Sequence, residues 1–132
     1  MFKDINTKAL FNKIQPFAEQ DEEILSCGMF EAQSSLMASA LTWGLSNRYH
    51  YIAVTSKRVL VLPLSKTTTK PIKEEVYSVS PTDVLVEKNH LIIQRPKDGK
   101  EIKFAFKFGL SALSGMNKED FINALERQKT KK

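Results

Sequence analysis

The chain has 132 residues, 42% of them apolar, with 20 Lys or Arg against 15 Asp or Glu and a formal net charge of +5. This length fits one domain, and the apolar share is too high for a disordered chain. No apolar run approaches the roughly 20 residues that span a bilayer, Met1-Phe2-Lys3-Asp4 does not open a signal peptide, and the single cysteine, Cys27, argues against a disulfide-stapled secreted scaffold.

These features predict a cytoplasmic location. The charge is unevenly placed: residues 1–50 carry four Lys/Arg and six Asp/Glu, residues 51–132 sixteen and nine. A basic second half permits an acidic partner, either a membrane surface or nucleic acid. The plainer alternative is a solvated lysine-rich surface with a basic tail.

Residues 4–15 predict a helix. Asp4 or Asn6 can cap it, Ile5, Leu10, Phe11 and Ile14 recur at helical spacing, and Pro16 stops it. Such a helix, residues 1–16, can cover its own sheet or pack on another subunit. Glu22 to Gln33 reads as a first strand, with Gly28 suggesting a bulge or bend. Ser34 to Asn47 then carries no charge at all, and sets Leu36, Met37, Leu41, Trp43 and Leu45 among small residues. A tight hairpin turn needs neither that length nor that much apolar surface.

Tyr49–Thr55 and Arg58–Leu64 predict the central hairpin, turning at Thr55-Ser56-Lys57-Arg58. Both arms are rich in β-branched and aromatic residues. In the first arm Ile52 and Val54 share one face, with Tyr49, Tyr51 and Ala53 on the other. In the second, Val59-Leu60-Val61-Leu62 is apolar on both faces, which predicts cover on both sides. After a polar loop from Ser65 to Lys73, Glu75 to Ser80 predicts a short strand ended by Pro81. Val84–Lys88 and Leu91–Arg95 flank a candidate turn, Asn89-His90. Leu91–Arg95 and Glu101–Phe108 flank Pro96-Lys97-Asp98-Gly99-Lys100, where Asp-Gly supplies the positive φ of a hairpin turn. In the last strand Ile102, Phe104, Phe106 and Phe108 face one way, and Lys103, Ala105 and Lys107 the other. A final helix is predicted from Lys118 to Gln128. Asn117 and Asp120 form a capping-box-like pair, Met116 and Phe121 a hydrophobic staple, and Phe121, Ile122 and Leu125 the buried stripe. Lys129, Lys131 and Lys132 end the chain as a basic tail, residues 129–132.

The order is therefore helix, about seven strands, helix. The expected fold is mainly β (α+β): seven antiparallel strands in a bent sheet or partly open barrel, with the C-terminal helix plugging one end.

The run Val54-Thr55-Ser56-Lys57-Arg58-Val59-Leu60-Val61-Leu62 resembles the bacterial pleckstrin-homology-like domains, which are related in shape to the GRAM domains. The later pattern is similar too: an Ile/Val-rich strand, an Asp-Gly turn, an Ile-x-Phe strand and a helix with Phe and Leu facing in. The resemblance covers residues 20–128. It implies a seven-strand barrel or sandwich with a C-terminal helix, and no enzyme activity. Relatives that bind phosphoinositides use basic residues around the loop joining the first two strands. Here that loop, 34–47, has no Lys or Arg, and only Arg48, Lys57 and Arg58 stand as candidates for headgroup contact.

Residues 34–47 have three readings: a self-association surface, a membrane-inserting loop with Trp43 at the interface, or a cover for the domain's own core. The interaction candidates are Leu36, Met37, Leu41, Trp43, Arg48, Lys57 and Arg58. His50, His90 and Cys27 have no zinc-site spacing, and no Gly-x-Ser-x-Gly elbow or Gly-rich phosphate loop occurs. No catalytic residue, metal or cofactor is expected. Lys97, Lys100, Lys103 and Lys107 form a basic stripe, but the aromatics of that strand face the opposite way, so nucleic acid is not the expected partner. The expected function is a binding or scaffold module that associates with a second copy or another protein. The alternative is peripheral binding to an anionic membrane.

Overall fold

The structure is a computed structural model, and it describes residues 12–33, 49–65, 70–87, 90–97, 99–106 and 118–130. Seven strands alternate direction: β1 (Ile24–Gln33), β2 (Tyr49–Thr55), β3 (Val59–Pro63), β4 (Tyr77–Val79), β5 (Val84–Glu87), β6 (His90–Gln94) and β7 (Glu101–Phe106). They form one antiparallel sheet in the order β4-β3-β2-β1-β7-β6-β5. A helix, Lys118–Thr130, follows. No described helix is long and apolar enough to cross a membrane.

The connection between the two outermost strands forces the sheet to roll. Only Ser80 to Asp83 separate β4 from β5, yet these strands lie at opposite ends of the order. In a flat sheet they would stand about 29 Å apart, from six spacings of about 4.8 Å. Five Cα steps reach at most about 18 Å. The sheet therefore curls until its edges approach, but β4 and β5 do not pair, so it is a rolled sheet and not a closed barrel. Both edge strands are short and border Pro81, which limits the backbone they offer to other strands.

The inner face carries Phe30, Ala32, Ile52, Val54, Val59, Val61, Val84, Leu91, Ile93 and Phe104. The C-terminal helix plugs it with Phe121, Ala124 and Leu125. The ring of Phe121 lies 5.1 Å from that of Phe30, tilted by 59°. The stripe follows i, i+3, i+4 spacing and uses Ala124 in place of Ile122, which is half-buried. The outer face of β1–β3 holds a second cluster: Ile24, Cys27, Met29, Tyr51, Ala53, Leu60, Leu62 and Leu64, with Ile14 inserted from the chain before the sheet. Strand β3 thus contributes Val59 and Val61 inward and Leu60 and Leu62 outward, the two-sided cover its sequence predicts.

Several boundaries differ from the sequence reading. Residues 12–14 are helical and tighten into a 3-10 turn at Gln15–Phe17, so Pro16 sits inside the last turn. Proline fits there because the first N–H groups of a turn need no partner. Ile14, Phe17 and Ala18 pack on the chain's own sheet. The irregularity expected at Gly28 lies between Ile24 and Ser26, while Gly28 stays in register opposite Ile52. This bulge flips strand parity: Ile24 joins the outer cluster with Cys27 and Met29, whereas Leu25 packs inward with Phe30. Glu75 belongs to a 3-10 turn, Lys73–Glu75, before the three-residue β4. Glu87 pairs with His90, so His90 is a strand residue and not part of the turn. Gly99 has φ 71°, as the Asp-Gly signal requires. Asn117, Met116, Lys107, Phe108 and residues 1–11 lie outside the described residues.

Candidate functional site

The described polar residues converge at one place, where the β2–β3 turn meets the segment entering β1. Thr55 closes the turn: its N–H donates to the Arg58 carbonyl at 2.9 Å. Its hydroxyl oxygen accepts from the backbone N–H of Lys57 at 3.1 Å and of Arg58 at 3.0 Å. Threonine suits this position because a β-branched residue ends a strand well while its hydroxyl satisfies turn N–H groups. With both N–H groups accepted, the hydroxyl proton is free to donate, and it points to Glu22 Oε2.

Glu22 is the centre of the site. Its side chain is 0% exposed, against 27% for Arg58. Arg58 grips it with two parallel bonds, Nε to Oε2 at 2.9 Å and Nη2 to Oε1 at 2.9 Å. This is the fork geometry that makes Arg–carboxylate pairs strong. The Glu19 backbone N–H donates to Oε1 at 2.9 Å. Each carboxylate oxygen therefore accepts two donors. Those bonds, led by Arg58, outweigh the cost of burial and hold the carboxyl down to about 2, well below its usual 4.5. The same contact pushes Arg58 up.

Around this buried pair lies an exposed one. Lys57 Nζ sits 2.7 Å from Asp21 Oδ1 and 3.1 Å from Glu19 Oε1. The Lys57 bond lowers Asp21, and the Asp21 bond raises Lys57. Ser56 completes the seam: its N–H donates to the Glu23 carbonyl at 2.8 Å and its hydroxyl accepts from the Glu23 N–H at 3.0 Å. The Thr-Ser-Lys-Arg turn thus clamps the acidic run Glu19-Gln20-Asp21-Glu22-Glu23 against the end of the sheet.

This arrangement restrains charge more than it offers it. Glu22 is fixed as a carboxylate and cannot serve as a general acid near neutral pH. Cys27 lies buried in the outer cluster, and burial pushes its thiol up to about 12. A thiol held there is not a nucleophile at pH 7. His50 is buried and meets the Phe104 ring edge-on at 4.9 Å. Among the described residues no group of three or more His, Cys, Asp or Glu is placed to hold a metal ion.

Of the interaction candidates, Lys57 and Arg58 are brought together, on Glu19, Asp21 and Glu22. Leu36, Met37, Leu41, Trp43 and Arg48 lie outside the described residues. The segment that contains them joins Gln33 to Tyr49, at the far end of β2 from the Thr55–Arg58 turn. Six strand rises of about 3.3 Å separate the two ends, roughly 20 Å. In the basic stripe, Lys103 reaches Glu87 at 3.7 Å across the outer face of β5–β7. Sequence reasoning missed Glu22, which it placed in the first strand. The available signal was an acidic run in an otherwise acid-rich half, facing a Lys-Arg turn in the basic half. Comparison with protein-family models, with curated proteins and with solved structures found no match.

Proposed function

We propose that this chain is a non-enzymatic binding or scaffold module of the pleckstrin-homology-like type that self-associates through residues 34–47. The observation that carries the reading is the connection between β1 and β2. These strands are hydrogen-bonded antiparallel neighbours, paired from Ile24↔Thr55 to Glu31↔Tyr49. Two residues suffice to join such neighbours, yet 15 separate Gln33 from Tyr49. Fourteen of them, 34–47, carry no charge and include Leu36, Met37, Leu41 and Trp43. A connection of this length usually serves a function, and an apolar one fits contact with another apolar surface. The rolled seven-strand sheet with a helix in its mouth supports the fold type. The clamped state of Glu22 and the inert thiol of Cys27 support a non-catalytic role.

The test is mass by light scattering on the full chain across concentration, with Leu36→Asp and Leu41→Asp beside it. A mass of two or more chains that falls to one in the Asp variants supports the proposal. A single-chain mass up to millimolar concentration ends it. Trp43 emission with neutral and anionic vesicles tests the competing membrane reading: a blue shift only on vesicles favours insertion. That reading has to do without one combined basic patch, because Lys57 and Arg58 are ion-paired some 20 Å of strand from the root of the segment.

A further inference from the structure

Residues 12–21 lead into β1 without joining the sheet's backbone ladder. Among the described residues, the backbone here makes only local hydrogen bonds, Ala18 N–H to the Gln15 carbonyl and, at the base, Glu22 N–H to the Glu19 carbonyl. Among the described residues, the first backbone bond from this direction to the sheet is at Glu23. Ile14 is its one fully buried side chain; Phe17 and Ala18 are half-buried, and Glu19, Gln20 and Asp21 are exposed. Its base is fixed by the buried Glu22 clamp on Arg58 and Thr55, with the exposed Lys57 pairs to Glu19 and Asp21 beside it. Beneath it lies the outer cluster of Cys27, Met29, Tyr51, Leu60 and Leu62, on strands that are hydrogen-bonded to one another without it, with Leu64 just past β3. Among the described residues, lifting 12–21 away therefore breaks no sheet bond and leaves the inner core, with its own helix, intact. Elements with few buried side chains and no shared backbone ladder open first.

We propose that this segment is a latched strap that opens as a unit, ahead of the rolled sheet, and bares the outer apolar face of β1, β2 and β3. The Glu22–Arg58–Thr55 cluster is the latch, Ile14 the plug.

Cys27 is a built-in reporter, being the only cysteine and buried in the cluster that Ile14 plugs. The experiment is the rate at which an aromatic disulfide reagent labels Cys27 in the full chain, measured against urea. Global unfolding is followed in parallel. With a strap, labelling below the unfolding midpoint depends on urea less than about half as steeply as global unfolding, because less surface is exposed. Glu22→Gln then raises the low-urea rate roughly a hundredfold, as expected for removing one charge of a buried pair. Phe121→Ala weakens the inner core on the other face and leaves that rate unchanged. Labelling that carries the full urea dependence of global unfolding in the unmodified chain overturns the proposal. So does an equal acceleration by Glu22→Gln and Phe121→Ala.

Discussion

Replacing Glu22 by Gln keeps the shape of the side chain and removes its charge. Both oxygens of Glu22 accept two donors each: Arg58 Nε and the Thr55 hydroxyl on Oε2, Arg58 Nη2 and the Glu19 N–H on Oε1. Whichever way the Gln amide turns, its NH2 faces a guanidinium N–H and a second donor. The size of the loss follows from linkage. The folded carboxyl sits at about 2 and the free one at 4.5. That gap of about 2.5 pH units corresponds to about 3 kcal/mol. Because the folded value lies below the free value, the stabilisation is complete above about pH 4.5 and is lost as pH falls towards 2. The assay is urea unfolding of the parent and Glu22→Gln chains at steps from pH 7 to pH 2.5. The variant is expected to be about 3 kcal/mol less stable at pH 7, and the two curves to converge below pH 4.5. A loss under about 1 kcal/mol at pH 7, or a difference that stays constant down to pH 2.5, would refute the reasoning.

Three further outcomes are expected. Tyr51 is fully buried and its hydroxyl has no hydrogen-bond partner among the described residues, so Tyr51→Phe should hold or raise stability, by up to about 1 kcal/mol in thermal or urea melts. Phe121→Ala removes the plug that meets Phe30 and should cost about 3–5 kcal/mol, seen as an early urea midpoint with an unchanged circular-dichroism shape. Gly99→Ala should cost about 1 kcal/mol in the same melts. Among the described residues, a Cβ there would meet Gln94 Nε2 at an ordinary 3.8 Å, so the loss comes from holding alanine at φ 71°.

Much of the sheet was legible in the sequence because strand alternation and turn chemistry act locally. The period of two in Ile102–Phe104 against Lys103–Ala105, the Asp-Gly turn and the two-sided apolar run of β3 each depend on a few neighbouring residues. Strand order was not legible. That β1 pairs with β7 as well as β2 is a register between Phe30 and Phe106, set by how the whole inner core closes. The parity flip after Ile24 was hidden for a similar reason: a bulge leaves no composition signal, and Gly28 supplied a false one. Lys57 and Arg58 were singled out as surface cations, whereas the structure ion-pairs both. Their acidic partners lie up to 39 positions upstream, from Arg58 back to Glu19, brought close by the β1–β2 register, which no local pattern encodes.

The position of β1 between β2 and β7 has a consequence for how the chain is made. β1 is the first of the described strands to emerge during synthesis, yet one of its edges waits for the last of them, β7, because Glu101 follows Gln33 by 68 residues. At bacterial and eukaryotic elongation speeds of about 5–20 residues per second, that wait lasts roughly 3–14 s. Through that interval Phe30 and Ala32 flank an unpaired edge, and Phe121, which seals them, is translated later still. The nascent chain thus keeps that apolar edge uncovered until its C-terminal helix is complete, and truncation before residue 118 removes Phe121, Ala124 and Leu125 from the inner core.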